Sequence, residues 1–483
     1  MGAIVAALSK HDDDVVPLVI IMLEALIHRG SSNHEVITPS YVVSTESFDE
    51  LRKKANVLSS VCMGRNMAKT GWRYDTIRPE EDDHAIIFEG EVFPQHPTHP
   101  FIQAGINRKR VLPQAAKRVL RQFDGHYTFV VASRRQMLLG RDPLGMMPLY
   151  YGENKMLCAS ASERKALWTI GIKDVQSFPP GNLAKMNQTG YTFEPVSAVR
   201  QPPRRKIKLH TAARRLEKLL EESIRERVSD VDKVGVAFSG GIDSSVVAHL
   251  AQKCGVAVNL ISVGLEGRSE LAHAEEAAKA LCLPITVKAF RIGDVERTLS
   301  KVLWLSEEPD AMKTSVAIPF FWAAQTASKL GCRVLLSGQG ADELFGGYHK
   351  YLAVYAKYGV EKVIEALYND TVTSHKTNFQ RDESISAFHN IDLRLPFVDI
   401  GTVRFALSLP ISLKIESEND GLRKRVLRKV AKNLGIPAFI ADRPKKAIQY
   451  ATGVDRVLRH LARSNGLTLG EYVEKVFRTI YPC

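Results

Sequence analysis

Val234-Gly235-Val236-Ala237-Phe238-Ser239-Gly240-Gly241-Ile242-Asp243-Ser244-Ser245 runs from an apolar strand into a glycine turn and on into a helix beginning near Asp243. Glycines let backbone approach an anion closely. The helix N-terminus adds free N–H groups and a partial positive charge. Phosphate binds well at such a turn, and Ser239, Ser244 and Ser245 add hydroxyl donors. Asp243 would repel phosphate unless it holds a cation, and Mg²⁺ takes one or two carboxylates plus phosphate oxygens. An ordinary turn with Asp243 as a cap is the plainer alternative. No Gly-Lys-Ser/Thr follows, so the turn is not a Walker loop.

Outward from this run the rhythm repeats. Val258 to Val263, Ile285 to Phe290 and Arg333 to Leu336 read as further strands, with a helix such as Glu270 to Leu281 between them. Strand–helix alternation predicts a parallel α/β sheet with helices on both faces. The last of these strands leads into a second glycine-rich turn, Ser337-Gly338-Gln339-Gly340-Ala341-Asp342-Glu343-Leu344-Phe345-Gly346-Gly347-Tyr348. In a parallel sheet both turns lie at carboxyl ends of strands, where ligands bind. Asp342 and Asp243 could then share the metal, while helix capping is the plainer alternative for Asp342. Phosphates also need cations. Lys445, in Arg443-Pro444-Lys445-Lys446, and Lys424, in the run Arg423 to Lys432, are candidates against a default of solvated surface. The tail beyond Tyr348 reads as mainly helical.

The N-terminal part is sheet-rich. Short apolar runs recur at His84 to Phe88, Tyr127 to Ala132, Met137 to Leu139 and Leu149 to Tyr151. Asp124-Gly125 and Arg141-Asp142-Pro143-Leu144-Gly145 read as turns between them. A helix is expected from Pro17 to His28. Gln201-Pro202-Pro203-Arg204-Arg205 reads as a linker, followed by an amphipathic helix from Thr211 to Arg227. The expected domains are residues 1–200 and 205–483.

Composition bounds the rest. The 483 residues carry a formal net charge of +13 with 25% charged residues, values that exclude a wholly disordered or collagen-like chain. The basic surplus suits nucleic acid, an anionic substrate or a solvated surface alike. The six cysteines are widely spaced and form no CxxC pair, which points to a reducing, cytoplasmic setting. The apolar stretch Val15 to Ile27 is too short to span a membrane of ~20 residues and lacks the basic leader of a signal peptide. Ala6 argues against myristoylation at Gly2.

The two glycine turns together resemble a known family. Ser239 to Ser245 looks like the pyrophosphate loop of ATP pyrophosphatases, and Ser337 to Tyr348 like the second signature of glutamine-dependent asparagine synthetases. Arg381-Asp382-Glu383 through Asp399, with His389 and Arg394-Leu395-Pro396-Phe397-Val398-Asp399, is similar to a third block of that family. Ser262-Val263-Gly264 matches its adenine-contacting strand end, and Arg443-Pro444-Lys445 its pyrophosphate-binding lysine. The resemblance implies a glutaminase-like α+β sandwich followed by a parallel α/β ATP-pyrophosphatase domain with a helical tail. It implies that ATP adenylates an aspartate-like carboxylate, releasing pyrophosphate, and that ammonia then displaces AMP. Ser239, Gly240, Gly241, Asp243, Ser244, Ser245, Val263, Ser337 and Gly338 would hold ATP. Asp243 and Asp342 would hold Mg²⁺. Lys445, Lys424 and Gln339 would serve catalysis. Well-studied members carry Glu where this chain has Gln339, and an amide cannot be a general base.

The N-terminal part resembles the family's glutaminase domain. Gly140 to Gly145, Pro148-Leu149-Tyr150, Ala159 to Glu163, Phe178 to Gly181 and His28-Arg29-Gly30 carry the likeness. That domain works through a cysteine at the second position, whose thiolate attacks the glutamine amide. Here Gly2 stands there, and the glutamine-holding Asn-Gly-Glu reads Glu89-Gly90-Glu91. A degenerate domain without glutaminase activity is therefore expected. Free ammonia, a separate glutaminase or an amine of the substrate itself could supply nitrogen. The last is the route of β-lactam-forming relatives, and a second alternative is an RNA-thiolating enzyme with the same Ser-Gly-Gly loop. The cysteine or zinc pairs usual in RNA-thiolating enzymes are absent here, which points away from nucleic acid. A second copy of the chain is a further candidate partner, and no membrane is expected.

Overall fold

The computed structural model describes residues 2–68, 74–77, 84–105 and 112–481. The chain separates into two compact units, Met1–Val199 and Arg200–Cys483. No described helix is long and apolar enough to cross a membrane.

The first unit stacks two antiparallel sheets between helices. Seven strands form one sheet in the order Gln176–Ser177, Tyr150–Glu153, Leu157–Ala161, Ala3–Ser9, Val61–Met67, Asn33–Ile37, Val42–Thr45. Five form the other: Gly190–Pro195, Asn182–Asn187, Gln136–Arg141, Asp124–Ser133, His84–Phe93. Strand side chains alternate between faces, and Ala3–Ser9 is buried on both. Ala3, Val5 and Ala7 pack with Val16, Val19 and Leu23 of the helix Val16–Ala25. Ile4, Ala6 and Leu8 meet Ile87, Val130 and Leu139 of the facing sheet. The outer face of that second sheet, Phe88, Phe129 and Val131, lies under Ala116, Val119 and Leu120 of the helix Leu112–Gln122. Asp124-Gly125 is not a turn: both residues lie in a ten-residue strand, paired with Phe93 and Val92. The expected helix to His28 ends at Ala25 and continues as a 3₁₀ turn, Ile27–Arg29.

The second unit holds a five-stranded parallel sheet in the order Ile285–Phe290, Ala257–Leu265, Lys233–Ala237, Val334–Leu336, Asp392–Arg394. In chain order this is 3-2-1-4-5. The order reverses between Lys233–Ala237 and Val334–Leu336, and such a switch point opens a crevice at the carboxyl ends of its strands. Both glycine turns leave those two strands. The helical tail contributes the short edge strand Asp392–Arg394, which sequence reading left among the helices. Ion pairs hold that edge: the fully buried Arg394 donates to Asp230 Oδ1 at 2.6 Å and to the Arg227 carbonyl at 2.6 Å. The proline-rich stretch is pinned to its own unit, with Arg205 N–H donating to the Ser408 carbonyl at 2.9 Å.

Candidate active site

The two turns meet at the switch point. A Cβ added at Gly338 would lie 2.8 Å from Asp243 Cβ, so only glycine lets the turns approach this closely. Asp243 sits in the first turn of the helix Ile242–Lys253, and Asp342 in that of the short helix Ala341–Phe345. Lys424 Nζ lies 2.7 Å from Asp243 Oδ1, 2.6 Å from Asp243 Oδ2 and 2.6 Å from Asp342 Oδ1. Lys445 Nζ lies 2.6 Å from Asp342 Oδ2 and 3.6 Å from Asp243 Oδ2. A Cβ on Gly347 would overlap Asp342 Oδ1 and Lys424 Cε, so that glycine is also required.

Charge follows from this geometry. Burial would push the Asp342 carboxyl up, but Lys424 and Lys445 hold it well below the usual carboxylate range. Burial would lower the Lys445 ammonium, yet Asp342 and Asp243 hold it above its ordinary value. Glu343 goes the other way, raised first by burial and then by the Asp342 charge. Its Oε1 accepts from the Tyr348 hydroxyl at 2.7 Å and from Asn378 at 2.9 Å.

The two lysines come from distant segments, and one side chain ties those segments together. Arg428, in the helix Arg425–Asn433, donates to the carbonyl of Arg423 at 2.7 Å and to that of Arg443 at 3.2 Å. It also donates to the carbonyls of Leu422 and Ala441. Arg423 and Lys424 both have left-handed backbone, φ 50° and 53°. Such non-glycine positions cost about 1–3 kcal/mol each and persist where surroundings over-determine them. Here Arg428 and the 3.2 Å bond from Arg423 Nε to the Gly347 carbonyl do so. Sequence reading found Lys424 and Lys445 but not Arg428, which looks like one more cation of an amphipathic helix.

The remaining predicted residues divide. Ser239 is exposed at the turn, and its Oγ accepts from Gly241 N–H at 3.3 Å. Ser244 Oγ donates to the Gly241 carbonyl at 3.1 Å, and Gly240 packs beside His273, which bonds the Gly240 carbonyl at 3.0 Å. Ser245 is fully buried, and its Oγ meets no hydrogen-bond partner among the described residues. Val263 lies near the carboxyl end of its strand, where Leu265 N–H donates to the Thr452 carbonyl at 3.1 Å. Ser337 is buried beside the edge strand. Gln339 does not touch the lysines: its Nε2 donates to Asp382.

No group of three His, Cys, Asp or Glu among the described residues forms a ready metal cage. The two aspartates nevertheless converge on one cationic point. Two carboxylates completed by phosphate oxygens suit Mg²⁺, so the donor set fits that ion.

In the first unit Gly2 N–H donates to Glu89 Oε1, and its carbonyl accepts from Arg29 Nε at 3.0 Å. A Cβ at Gly2 would overlap the Asn66 carbonyl oxygen and lie 3.1 Å from both Glu89 carboxylate oxygens. Cys62 and Cys158 are buried, and burial pushes the Cys158 thiol up to about 12.

A family model described as asparagine synthase matches residues 215–359 and 355–477. The chain belongs to the asparagine synthase family. A glutamine amidotransferase domain model matches residues 101–169. A putative glutamine-hydrolyzing asparagine synthetase of Methanocaldococcus jannaschii is 29% identical, covering 95% of each chain. The Asparagus officinalis enzyme is 28% identical over 70% of this chain, which spans only 60% of that relative's length. Among solved structures, glutamine phosphoribosylpyrophosphate amidotransferase from B. subtilis covers 59% of this chain and 65% of its own at 16% identity and a TM-score of 0.36, too weak a likeness to carry an argument.

Proposed function

We propose that this protein is an ATP-dependent, AMP-forming amide ligase that activates the side-chain carboxylate of aspartate for attack by ammonia. The observation that carries the reading is the meeting of Asp243, Asp342, Lys424 and Lys445 at the crevice between the two glycine turns. The substrate carboxylate attacks the α-phosphorus of ATP, one O–P bond forms, and the bond to the β-phosphate oxygen breaks. Pyrophosphate leaves beside the free N–H groups of the Ile242–Lys253 helix, with Lys424 and Lys445 balancing its charge. Asp243 and Asp342 would hold Mg²⁺, which supplies further neutralisation of the phosphates. Ammonia then forms the C–N bond and AMP departs.

The first unit does not hydrolyse glutamine in this reading. Position 2 is glycine with no room for a Cβ, and Glu89 adds a carboxylate beside it. Cys62 and Cys158 are buried thiols held above their ordinary range. Nitrogen arrives as ammonia, free or from a separate glutaminase.

The test is pyrophosphate release from ATP with Mg²⁺, scored with aspartate, then with ammonia or glutamine. Aspartate should stimulate release, and ammonia but not glutamine should yield asparagine. No stimulation by aspartate sinks the substrate assignment. Product from glutamine at an equal rate sinks the claim about the first unit.

A further inference from the structure

Both glycine carbonyls of the first turn are held from behind. The Gly241 carbonyl accepts from Ser245 N–H at 3.0 Å and from Ser244 Oγ at 3.1 Å, at the start of the helix Ile242–Lys253. The Gly240 carbonyl meets a side chain from another helix: His273 of Ser269–Ala280, through Nε2 at 3.0 Å. A carbonyl oxygen only accepts, so Nε2 carries the hydrogen. The imidazole is itself wedged in place. Phe439 stands 6.0 Å from it with the rings at 87°. On the other side Gly240 packs so closely that a Cβ there would lie 2.8 Å from His273 Cδ2 and 3.2 Å from Ala274 Cα. Phe439 belongs to the short helix Ala438–Ala441, whose last carbonyl accepts from Arg428. His273 therefore joins the first glycine turn to the stretch that leads to Lys445.

One peptide plane explains what the histidine bond does. In a trans peptide the C=O and the following N–H point in opposite directions. The Gly240 carbonyl points at His273, so the Gly241 N–H points the other way, where it lies 3.3 Å from the exposed Ser239 hydroxyl. Gly240 has φ 67°, a left-handed backbone that glycine adopts without steric cost. The same freedom leaves the 240–241 peptide easy to flip. Flipped, it would present a carbonyl oxygen on the open side of the turn, which repels an anion. Unflipped, it presents an N–H, the group that binds phosphate at such turns. Nothing in the sequence pattern marks His273, which lies 33 residues from Gly240.

We propose that His273 is a positioning residue that holds the Gly240 carbonyl away from the anion site, so that the turn is set to receive pyrophosphate before pyrophosphate arrives. The inference rests on the ligase reading above and deepens it, since it names what preorganises the grip on the departing group. A turn already in its binding conformation loses no affinity to reordering. The imidazole makes and breaks no covalent bond. It also moves no proton, because the neutral Nε2–H tautomer and the imidazolium both donate to the carbonyl.

Two variants test this. His273→Leu removes the donor and keeps an apolar neighbour for Phe439, and His273→Gln restores an N–H from the same helix position. Calorimetry with inorganic pyrophosphate and Mg²⁺ reads the turn, while AMP, which carries no pyrophosphate, reads the rest of the crevice. One lost hydrogen bond corresponds to about a fivefold change in affinity. The pyrophosphate Kd should rise by that factor in His273→Leu, and the KM for pyrophosphate in ATP–pyrophosphate exchange should rise with it. AMP binding and melting temperature should stay native. His273→Gln should bind pyrophosphate within about twofold of native. Unchanged pyrophosphate binding in His273→Leu overturns the proposal. So does an equal loss of AMP binding, or a glutamine variant no tighter than the leucine one, since a merely structural histidine would give either. Native protein that binds no pyrophosphate sinks this proposal and the phosphate reading of the turn together. If pyrophosphate binding follows the expected order but aspartate does not stimulate exchange, the positioning role stands and only the substrate assignment fails.

Discussion

Replacing Lys424 by methionine keeps the unbranched stem and deletes its charge. The native ammonium is 1% exposed and stands within 2.7 Å of Asp243 and Asp342. Without it two carboxylates face each other with Lys445 alone between them, and that lysine is 30% exposed and 3.6 Å from Asp243. Removing one partner of a buried ion pair costs about 3–5 kcal/mol. At roughly 2 °C per kcal/mol for a unit of this size, the second unit should melt about 6–10 °C lower. The pH dependence has a defined sign. Asp342 is held below its ordinary value in the fold, so the stability it contributes is present above the unfolded carboxylate value of ~3.9 and lost as pH falls. The gap between native and variant should therefore be full at neutral pH and close below about pH 4. Adding Asp342→Asn should recover part of the lost melting temperature, because the unpaired charge goes with it. Pyrophosphate exchange should fall by about 10²–10³ for loss of a cation at the departing phosphate. Thermal scans from acid to neutral pH and exchange rates on the same samples are sufficient. A variant melting within about 1 °C of native at pH 7, with exchange intact, would falsify the view that these carboxylates depend on Lys424.

Arg428→Lys should cut exchange by about tenfold or more while circular dichroism stays native, since one ammonium cannot hold four carbonyls from two segments in register. Gly347→Ala should lose exchange to a comparable degree, because its methyl displaces Asp342 and Lys424; equal activity would mean the cluster is dispensable. His389, packed at 4.4 Å against Phe321, is lowered to about 4 by burial, then by Lys329 and Lys301. A depressed histidine contributes stability above roughly pH 6.5 that is lost as pH falls towards that lower value. His389→Gln should flatten the melting temperature against pH across this window, and an unchanged slope would exclude the histidine as its source. Gly2→Cys should not bring glutamine-dependent synthesis, because the new Cβ overlaps the Asn66 carbonyl and faces Glu89.

Much of the second unit was legible in its sequence for a local reason. Val234 to Phe238 followed by Ser-Gly-Gly states a buried strand, a tight turn and a helix start within twelve residues, and the same grammar recurs at Leu335 to Asp342. Strand and turn signals of that kind are set by neighbours in the chain. The edge strand Asp392–Arg394 was not legible, because three residues carry no period and its partner Val334–Leu336 lies far away in sequence. Asp124-Gly125 misled for the converse reason: a turn-forming pair is absorbed into a strand when ten residues of His84–Phe93 pair along it.

By itself, then, the sequence determined the parallel α/β class, the two glycine turns, and the residue types able to hold phosphate and a cation. Tertiary structure decided which charges meet. Lys424 and Lys445 reach the same two aspartates because Arg428 ties their segments, and Gln339 lies against Asp382 instead. Turns are fixed by torsions a few residues can specify. Pairings among buried charges depend on distances across the sheet, and only the folded chain sets those.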